Sequence, residues 1–580
     1  MKNIDTLLRF WKSEERRHGG QLLAAVMGLT VLNVLILLKF NKINGAIFNA
    51  FQSMNAHDFW RAFALYLAFL CVYVPSYVYQ QYLQKLLSLR WRQWMTIDFL
   101  RLWFSNRSFY YSKFLKLSID NPDQRIADDI HDFVDFSLTF SMTLFQQALT
   151  LIGFAIVLWQ QSGALHITIG PSLVITVPGY MLFASVCYAI LGSIIAHCIG
   201  RQLVPRNYHL QHTEADLRYG LAQVRQHAET IAATNGAKTE TKRLESKILA
   251  VSDSMRKVMD KEKQLGYFVT FYQQFASFVP LLLVMPRFFA RAITLGSVSQ
   301  VTGAFGQVLD SLSFFINSYG NVSYYRSVIT RLIQFSEMVG SCAALSPQNV
   351  EFQATSVDNT LIVQELTIHN PLHEVLIREL EVTIGPRDTV LIMGPSGVGK
   401  STLLRTLTGM WPFATGRIEQ PNVFKYMLLP QRPYLPAGTL RSVVCYPYDT
   451  DCASVSTVTQ ALSSSQIGHL AKHLDVERDW SSFLSTGEQQ LLSISRVFVF
   501  KPQWLFLDEA TSALDRECIG LIYDNFRSEI PELSIITVSH NPDMGQFHER
   551  TVMIDKHLDV QVRHYEEALT VDGSAEATIR

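Results

Sequence analysis

Charge is scarce in this chain. Only 17% of its 580 residues are Asp, Glu, Lys or Arg, while 48% are apolar; soluble domains carry about a quarter charged residues. The deficit points to a portion embedded in membrane, and the length excludes a single ordinary domain. The charges present cancel, 50 basic against 50 acidic, so no global basic field recruits nucleic acid. Cysteine is sparse as well: Cys71, Cys187, Cys198, Cys342, Cys445, Cys452 and Cys518 form no CxxC pair and no metal-ligand spacing. They read as reduced or buried thiols, and nothing demands an oxidising compartment. Internal repeats and low-complexity tracts are missing. The N-terminus lacks the pattern of a cleavable signal, because twenty mostly polar residues precede the first apolar run and no small-residue cleavage site follows it.

What is present begins with long apolar runs. A bilayer crossing needs about 20 mainly apolar residues. Six stretches are predicted to span: 21–39, 60–83, 138–159, 174–199, 267–289 and 295–318, the last being weakest because it holds Gln300, Gln307, Asp310 and Asn317. The loop between spans two and three and the loop between spans four and five are rich in Lys and Arg, whereas that between three and four has none. The two basic loops and the N-terminus are therefore expected in the cytosol. Leu7, Leu8, Phe10 and Trp11, set among Arg9, Lys12, Arg16 and Arg17, predict an amphipathic helix on the membrane surface. Residues 213–247 read as helix, with Leu217, Leu221, Val224, Ala228 and Ile231 at three- and four-residue steps. Beyond about residue 340 short strand-like runs (360–366, 388–393, 504–507, 534–538) alternate with helical ones, which predicts an α/β domain.

Gly394-Pro395-Ser396-Gly397-Val398-Gly399-Lys400-Ser401 fits G-x-x-x-x-G-K-[ST] at every fixed position. A strand-like run precedes it and a helical one starting at Thr402 follows, the context a phosphate-binding loop requires. The glycines let backbone N–H groups turn onto phosphate oxygens, and the helix N-terminus adds partial positive charge. Lys400 is expected at the β- and γ-phosphates and Ser401 on Mg²⁺; a chance glycine-rich turn is the alternative. Leu505-Phe506-Leu507-Asp508-Glu509 is an apolar strand ending in two carboxylates. Asp508 at such a strand tip is expected to hold Mg²⁺ through water, and Glu509 to polarise the attacking water as general base. The alternative is acidic capping of the next helix.

Leu484-Ser485-Thr486-Gly487-Glu488-Gln489-Gln490 resembles the signature sequence of ABC ATPases, usually written LSGGQ, with Thr486 and Glu488 where Gly and Gln are common. Ser512-Ala513-Leu514-Asp515 resembles the D-loop of that family. His540 resembles its switch histidine, and Gln431 its Q-loop glutamine, which implies a place for Gln431 at both Mg²⁺ and the attacking water. The family stacks adenine on an aromatic about 30 residues before the P-loop lysine, yet 365–394 hold no Tyr, Phe or Trp. His369 occupies roughly that place, as an adenine contact or as a plain loop histidine. Strict choice of ATP over GTP does not follow.

The segments 409–412, 430–441, 120–126 and 214–219 resemble one branch: the peroxisomal fatty-acyl (subfamily D) half-transporters and the bacterial peptide-antibiotic and vitamin B12 uptake proteins. The resemblance implies an α-helical transmembrane domain of six spans in the exporter-like, type IV ABC layout (1–345), and a C-terminal α/β P-loop ABC ATPase domain (346–580). It implies a homodimer with ATP clasped between the phosphate loop of one copy and the signature of the other. Asp120, Asn121, Pro122 and Asp123, and Glu214 and Arg218, read either as coupling elements that dock on the ATPase domain or as a plain solvated turn and helix. Gln146, Gln147, Gln273, Gln274, Gln307 and Asp310 are costly in lipid and face a substrate cavity or bond between helices. The resulting expectation is ATP-driven uptake of a bulky hydrophilic small molecule or peptide, such as cobalamin, across a bacterial inner membrane. Export, or transport of lipid and fatty-acyl substrates, is the alternative. An ATPase without transport, a membrane receptor and a proton-driven carrier are less consistent with spans and ATP motifs in one chain.

Overall fold

The computed structural model describes residues 9–115, 122–169, 173–345, 350–354, 359–450, 453–555 and 560–564. Contacts divide the chain into two units, Met1–Ser112 with Leu117–Gly340, and Lys113–Lys116 with Ser341–Arg580.

The first unit is built from long helices: α1 (Arg16–Gln52), α2 (Ala56–Phe104), α3 (Ile130–Ser162), α4 (Tyr180–Gly200), α5 (Leu203–Gln226), α6 (Ala237–Phe289) and α7 (Leu295–Ala344). Among the described residues, five helical stretches are long and apolar enough to cross a membrane: α1, α2 with the turns after it, α3 with the turn before it, α4 running into α5, and α6. They correspond to the first five predicted spans, the fourth beginning at Tyr180. The sixth lies in α7, a continuous helix that is not among those five; Gln300, Gln307 and Asp310 lower the hydropathy of its first half.

Three expectations need correction. The fourth span does not begin at residue 174, because strand β2 (Leu173–Pro178) pairs antiparallel with β1 (Ala164–Ile169), Ala164 opposite Pro178. Val174, Ile175, Thr176 and Val177 are β-branched and favour extended backbone, Pro178 offers no N–H, and Gly179 at φ 64° starts the helix afresh at Tyr180. Residues 213–247 are not one helix. They form the tip of an antiparallel hairpin, in which α5 ends at Gln226, a short helix covers Ala228–Ala233, and α6 begins after Gly236. Lys247 donates to the Asp216 carbonyl at 2.7 Å across it, and Gly220 leaves room for Leu244, whose Cδ2 would stand 3.0 Å from an added Cβ. Finally, the described part of the N-terminal segment is not an α-helix with all its apolar residues on one open face. Arg9–Lys12 is a single 3₁₀ turn, and Phe10 is fully buried against Trp91 and Trp94 of α2. Leu7 and Leu8 lie outside the described residues.

One set of polar groups pairs between the apolar helices. Asn33 of α1 donates to Gln80 of α2 at 2.6 Å, and Gln80 donates to Thr30 of α1 at 2.9 Å. All three are buried, where an unpaired amide is expensive.

The second unit is an α/β fold of two sheets. Strands β3 (Val350–Ala354), β4 (Leu361–His369), β5 (Val375–Ile384) and β7 (Ala414–Gln420) form one, in the order β3-β7-β4-β5. The other has the order β14-β13-β6-β12-β11-β8, from β6 (Thr389–Met393), β8 (Tyr426–Leu429), β11 (Trp504–Asp508), β12 (Ser534–Val538), β13 (Arg550–Ile554) and β14 (Val560–His564). A short ladder joins β9 (Gly438–Thr439) to β10 (Glu477–Arg478). From β13 to β8 every neighbour is parallel. Strands β11 and β12 are buried throughout and β6 nearly so, as expected of a parallel sheet covered on both faces. Helices α8 (Lys400–Leu407), α9 (Leu440–Cys445), α10 (Val455–Ser464), α11 (Thr486–Phe500) and α12 (Arg516–Glu529) complete the unit. One core gathers Leu440, Leu462, Trp480, Leu492 and Phe526; the other gathers Leu361, Ile377, Ile392, Leu404 and Ile536.

The buried amide link generates a prediction. Gln80→Leu leaves the Asn33 amide without its acceptor and lowers stability by about 1 kcal/mol, seen as a lower unfolding midpoint in detergent. Adding Asn33→Leu recovers most of the loss, since replacing both partners with apolar groups is nearly neutral.

Candidate functional site

The strand order determines which loops meet. Parallel neighbours β6, β12, β11 and β8 release their chains at one edge of the sheet, the carboxyl edge where ligands bind in such folds. After β6 comes the Gly394–Ser401 loop, after β12 His540, at the end of β11 Asp508 and Glu509, and after β8 Gln431.

The loop is tightly determined. Gly394 has φ 153°, and a Cβ there would meet the Ile554 carbonyl oxygen at 2.3 Å, so only glycine fits. Gly399, at φ 104°, caps α8. Lys400 is 5% exposed, and its ammonium donates to the carbonyls of Gly394 and Pro395 at 2.7 and 2.8 Å. Burial lowers its pKa, opposed by the charges of Glu509 and Asp508. Ser396, Gly397 and Val398 form the turn between, and Thr402 continues α8. Ser401 Oγ donates to Asp508 Oδ1 at 2.6 Å. This hydroxyl and carboxylate are hard oxygen donors side by side, and they fit Mg²⁺.

Glu509 is held from both sides. Gln431 Nε2 donates to Glu509 Oε2 at 2.8 Å, and His540 Nε2 lies 2.9 Å from Oε1. Glu509 sits at φ 51°, uncommon for a side-chain-bearing residue. Its N–H is nevertheless bonded to the Val538 carbonyl at 3.1 Å, so β12 holds the turn in place.

His369 ends β4, where its N–H donates to the Phe413 carbonyl at 2.8 Å and its carbonyl accepts from Trp411 Nε1 at 2.9 Å. The side chain nearest the phosphate loop on this side is Leu376, whose Cβ lies 3.2 Å from where a Gly399 Cβ would stand. Ser485 and Thr486 are exposed at the start of α11, with Gly487 and Glu488 half-buried. Glu488 closes a capping box. Its carboxylate accepts from the Ser485 N–H at 3.0 Å and the Ser485 hydroxyl at 2.7 Å, while its own N–H donates to Ser485 Oγ at 3.4 Å. Those bonds to Ser485 hold the carboxyl below its usual range, with a smaller contribution from His469 at 3.7 Å. Asp515 caps α12 through the Cys518 N–H at 2.7 Å. Gln490, to which the sequence assigns no role, lies between the Q-loop and the D-loop: its Nε2 is 3.3 Å from both the Gln431 carbonyl and Ser512 Oγ, and its Oε1 accepts from the Ala513 N–H at 3.0 Å.

In the helical unit a cavity of about 820 Å³ is lined by Gln147, Gln273 and Asp310 together with Phe268, Tyr272 and Phe314. Gln146, Gln274 and Gln307 do not line it. The period of a helix explains the pairs 146/147 and 273/274: neighbours in sequence point about 100° apart, so only one of each faces inward.

Residues 7–289 match the family described as ABC transporter transmembrane region 2, and residues 377–512 match the family described as ABC transporter. An uncharacterised ABC transporter ATP-binding protein of Synechocystis is 32% identical, over 92% of this chain and 79% of its own. The chain belongs to the ABC transporter family. The inner membrane ABC transporter ATP-binding protein YddA of Escherichia coli is 29% identical (93% of this chain, 95% of its own), and the human lysosomal cobalamin transporter ABCD4 is 26% identical (81% and 80%). The solved structure of a bacterial Atm1-family ABC exporter with ATP bound superposes with TM-score 0.72 at 16% identity, covering 98% of this chain and 99% of that one. The fold is thus that of an exporter-like ABC transporter, with a helical membrane unit and an α/β ATPase unit.

The expected coupling residues of this ABC transporter fall unevenly. Asp120 and Asn121 lie outside the described residues. Pro122 opens a short helical turn that includes Asp123, proline being suited to a first helical position. Glu214 and Arg218 are exposed in the middle of α5. They are not at the turned tip, which is Ala228–Ala233. Reading 213–247 as one helix hid that tip. The sequence also missed Phe114, which groups with the second unit and packs edge-on against Trp411 and Phe413 at 5.0 and 5.8 Å between ring centres. It missed Asp129 too, which is buried and accepts from Arg331 Nε at 2.8 Å and from Arg125 at 3.0 Å.

Glu488→Ala removes the two bonds its carboxylate accepts from Ser485, leaving only the residue-488 N–H to Ser485 Oγ, and destabilises the protein by about 1 kcal/mol, read as a lower unfolding midpoint, whereas Glu488→Gln, which keeps an acceptor oxygen, lowers it less. Because the folded-state pKa of Glu488 is depressed, its contribution is present above the ordinary carboxylate range and fades as pH falls through the folded value.

Proposed function

We propose that this ATP-hydrolysing membrane transporter works as a homodimer in a bacterial inner membrane and takes up bulky hydrophilic solutes such as cobalamin or peptides. The arrangement that supports the ATP chemistry best is Glu509 clasped between Gln431 and His540 beside the Ser401–Asp508 pair. In this reading the Gly394–Thr402 loop wraps the phosphates, and Lys400 exchanges its loop carbonyls for phosphate oxygens. Ser401, Asp508 and the Gln431 amide oxygen would hold Mg²⁺, which would supply positive charge against the β- and γ-phosphates. Glu509 orients a water and takes its proton, while His540 on the opposite carboxylate oxygen keeps that carboxylate aimed. His369 is the proposed adenine contact, with Leu376 as apolar surface beside it.

One chain carries one phosphate loop and one signature. Ser485 to Glu488 are therefore assigned to the ATP of the second copy, with Ser512 and Asp515 of the D-loop between the two sites. Closing on ATP and opening on loss of the γ-phosphate is the two-state element that drives transport. The motion passes through the segments at Asp120–Asp123 and around Glu214–Arg218, together with the neighbouring Phe114 and the 228–233 tip.

A hydrophilic solute is supported by the cavity with Gln147, Gln273 and Asp310, and cobalamin by the relative named as a cobalamin transporter. The aromatic share of the lining, Phe268, Tyr272 and Phe314, favours a second reading, export or lipid and fatty-acyl transport.

Glu509→Gln lowers steady-state ATP hydrolysis at least about 100-fold while Mg-ATP binding persists, and Lys400→Ala weakens the binding itself. Hydrolysis by Glu509→Gln at the wild-type rate rejects the assignment. Cells carrying the wild-type protein accumulate labelled cobalamin or a labelled peptide, and Lys400→Ala cells do not. Efflux, or transport of acyl substrates alone, selects the second reading.

A further inference from the structure

Gln490 stands apart from the residues assigned to phosphate, yet three parts of that machinery meet on it. It lies in the second turn of α11 and is 2% exposed. Its amide nitrogen donates to the Gln431 carbonyl and to Ser512 Oγ, both at 3.3 Å, and its amide oxygen accepts from the Ala513 N–H at 3.0 Å. Both amide hydrogens and the oxygen are thus engaged. The Gln431 side chain donates to Glu509 at 2.8 Å, and the Ser512 N–H donates to the Glu509 carbonyl at 3.1 Å. A closed ring results: Glu509, Ser512 and Ala513, Gln490, Gln431, and back to Glu509. Gly487 in the first turn of the same helix completes the contact, since a Cβ there would stand 3.2 Å from the Ala513 carbonyl oxygen.

Two loops with no ladder bond between them are therefore fastened by one buried amide to the helix that begins at the signature. We propose that Gln490 is a positioning residue that makes the Q-loop, the D-loop and the start of α11 move as one body. A displacement of Gln431 and Glu509 at one ATP site then reaches the segments that serve the other. This rests on the two-site dimer proposed above. The Gln490 amide is spent on Gln431, Ser512 and Ala513 and the Lys400 ammonium on Gly394 and Pro395, so removal of Gln490 acts on the step that requires both sites to be aligned, and the Lys400 cradle keeps its own bonds.

The test uses the full-length transporter in liposomes. Gln490→Met keeps the length and burial of the side chain and removes the amide. The expected result is a kcat for ATP at least about tenfold lower, with KM and equilibrium Mg-ATP binding within about twofold, and a Hill coefficient for ATP that falls toward 1. Ser512→Ala removes one of the two bonds by which Gln490 holds the D-loop, leaving the Ala513 N–H on its amide oxygen, and lowers the Hill coefficient to a smaller extent. The double variant is no worse than Gln490→Met alone, because both act through one connection. Wild-type kcat and Hill coefficient in Gln490→Met overturn the proposal. So does a parallel decline of kcat, KM and unfolding midpoint, which marks a packing role only. A wild-type protein that is monomeric and non-cooperative instead overturns the dimer reading, an outcome distinct from failure of Gln490 alone.

Discussion

The Glu509 carboxylate has an amide on one oxygen and an imidazole on the other, and the ATPase unit is arranged so that those groups can meet. Gln431, Glu509 and His540 belong to loops after three different strands. Only the order β12-β11-β8 brings them within hydrogen-bond reach. Backbone strain at Glu509, with φ 51°, persists because the surroundings over-determine it: β12 holds its N–H and two side chains hold its carboxylate.

A second constraint is the burial of Lys400. An ammonium removed from water must find acceptors, and the carbonyls of Gly394 and Pro395 provide them. Those carbonyls point inward because Gly394 takes a backbone conformation closed to other residues. The loop is preorganised around its own lysine, and a phosphate competes with two neutral oxygens for the lysine's hydrogen bonds. The membrane unit follows the same rule. Asn33, Gln80 and Thr30 bond to one another between α1 and α2, while Gln147, which also accepts from Ser311 at 2.9 Å, borders a cavity with Gln273 and Asp310. Polar residues in the apolar helices thus bind helices together, leave polar surface on a cavity, or, at Gln147, do both.

The ATP motifs were legible in the sequence because their function needs fixed residue types at fixed spacing, and the strands were legible because burial on both faces makes them continuous apolar runs. Strand β12 lies where the pattern puts it, and β6 and β11 differ by one residue at an end. The hairpin at 164–178 was not legible, since a β-branched run can begin a span as well as form a strand until Pro178 and Gly179 are weighed. Nor was the break after Gln226: the apolar period continues across it, while the chain reverses there because α6 has α5 to pack against. Among the cavity residues, periodicity identified the polar positions but could not say which of two adjacent glutamines turns inward.

By itself the sequence determined the class of the molecule: membrane spans from apolar length, an ATPase from loop chemistry, and a family from the order of its motifs. These are local properties, written in neighbouring residues. Tertiary structure alone decided that Glu509 lies between Gln431 and His540, that Gln490 joins two loops, and that Gln147, Gln273 and Asp310 share one cavity. Such pairings depend on strand order and helix rotation, which arise from packing between segments far apart in the chain.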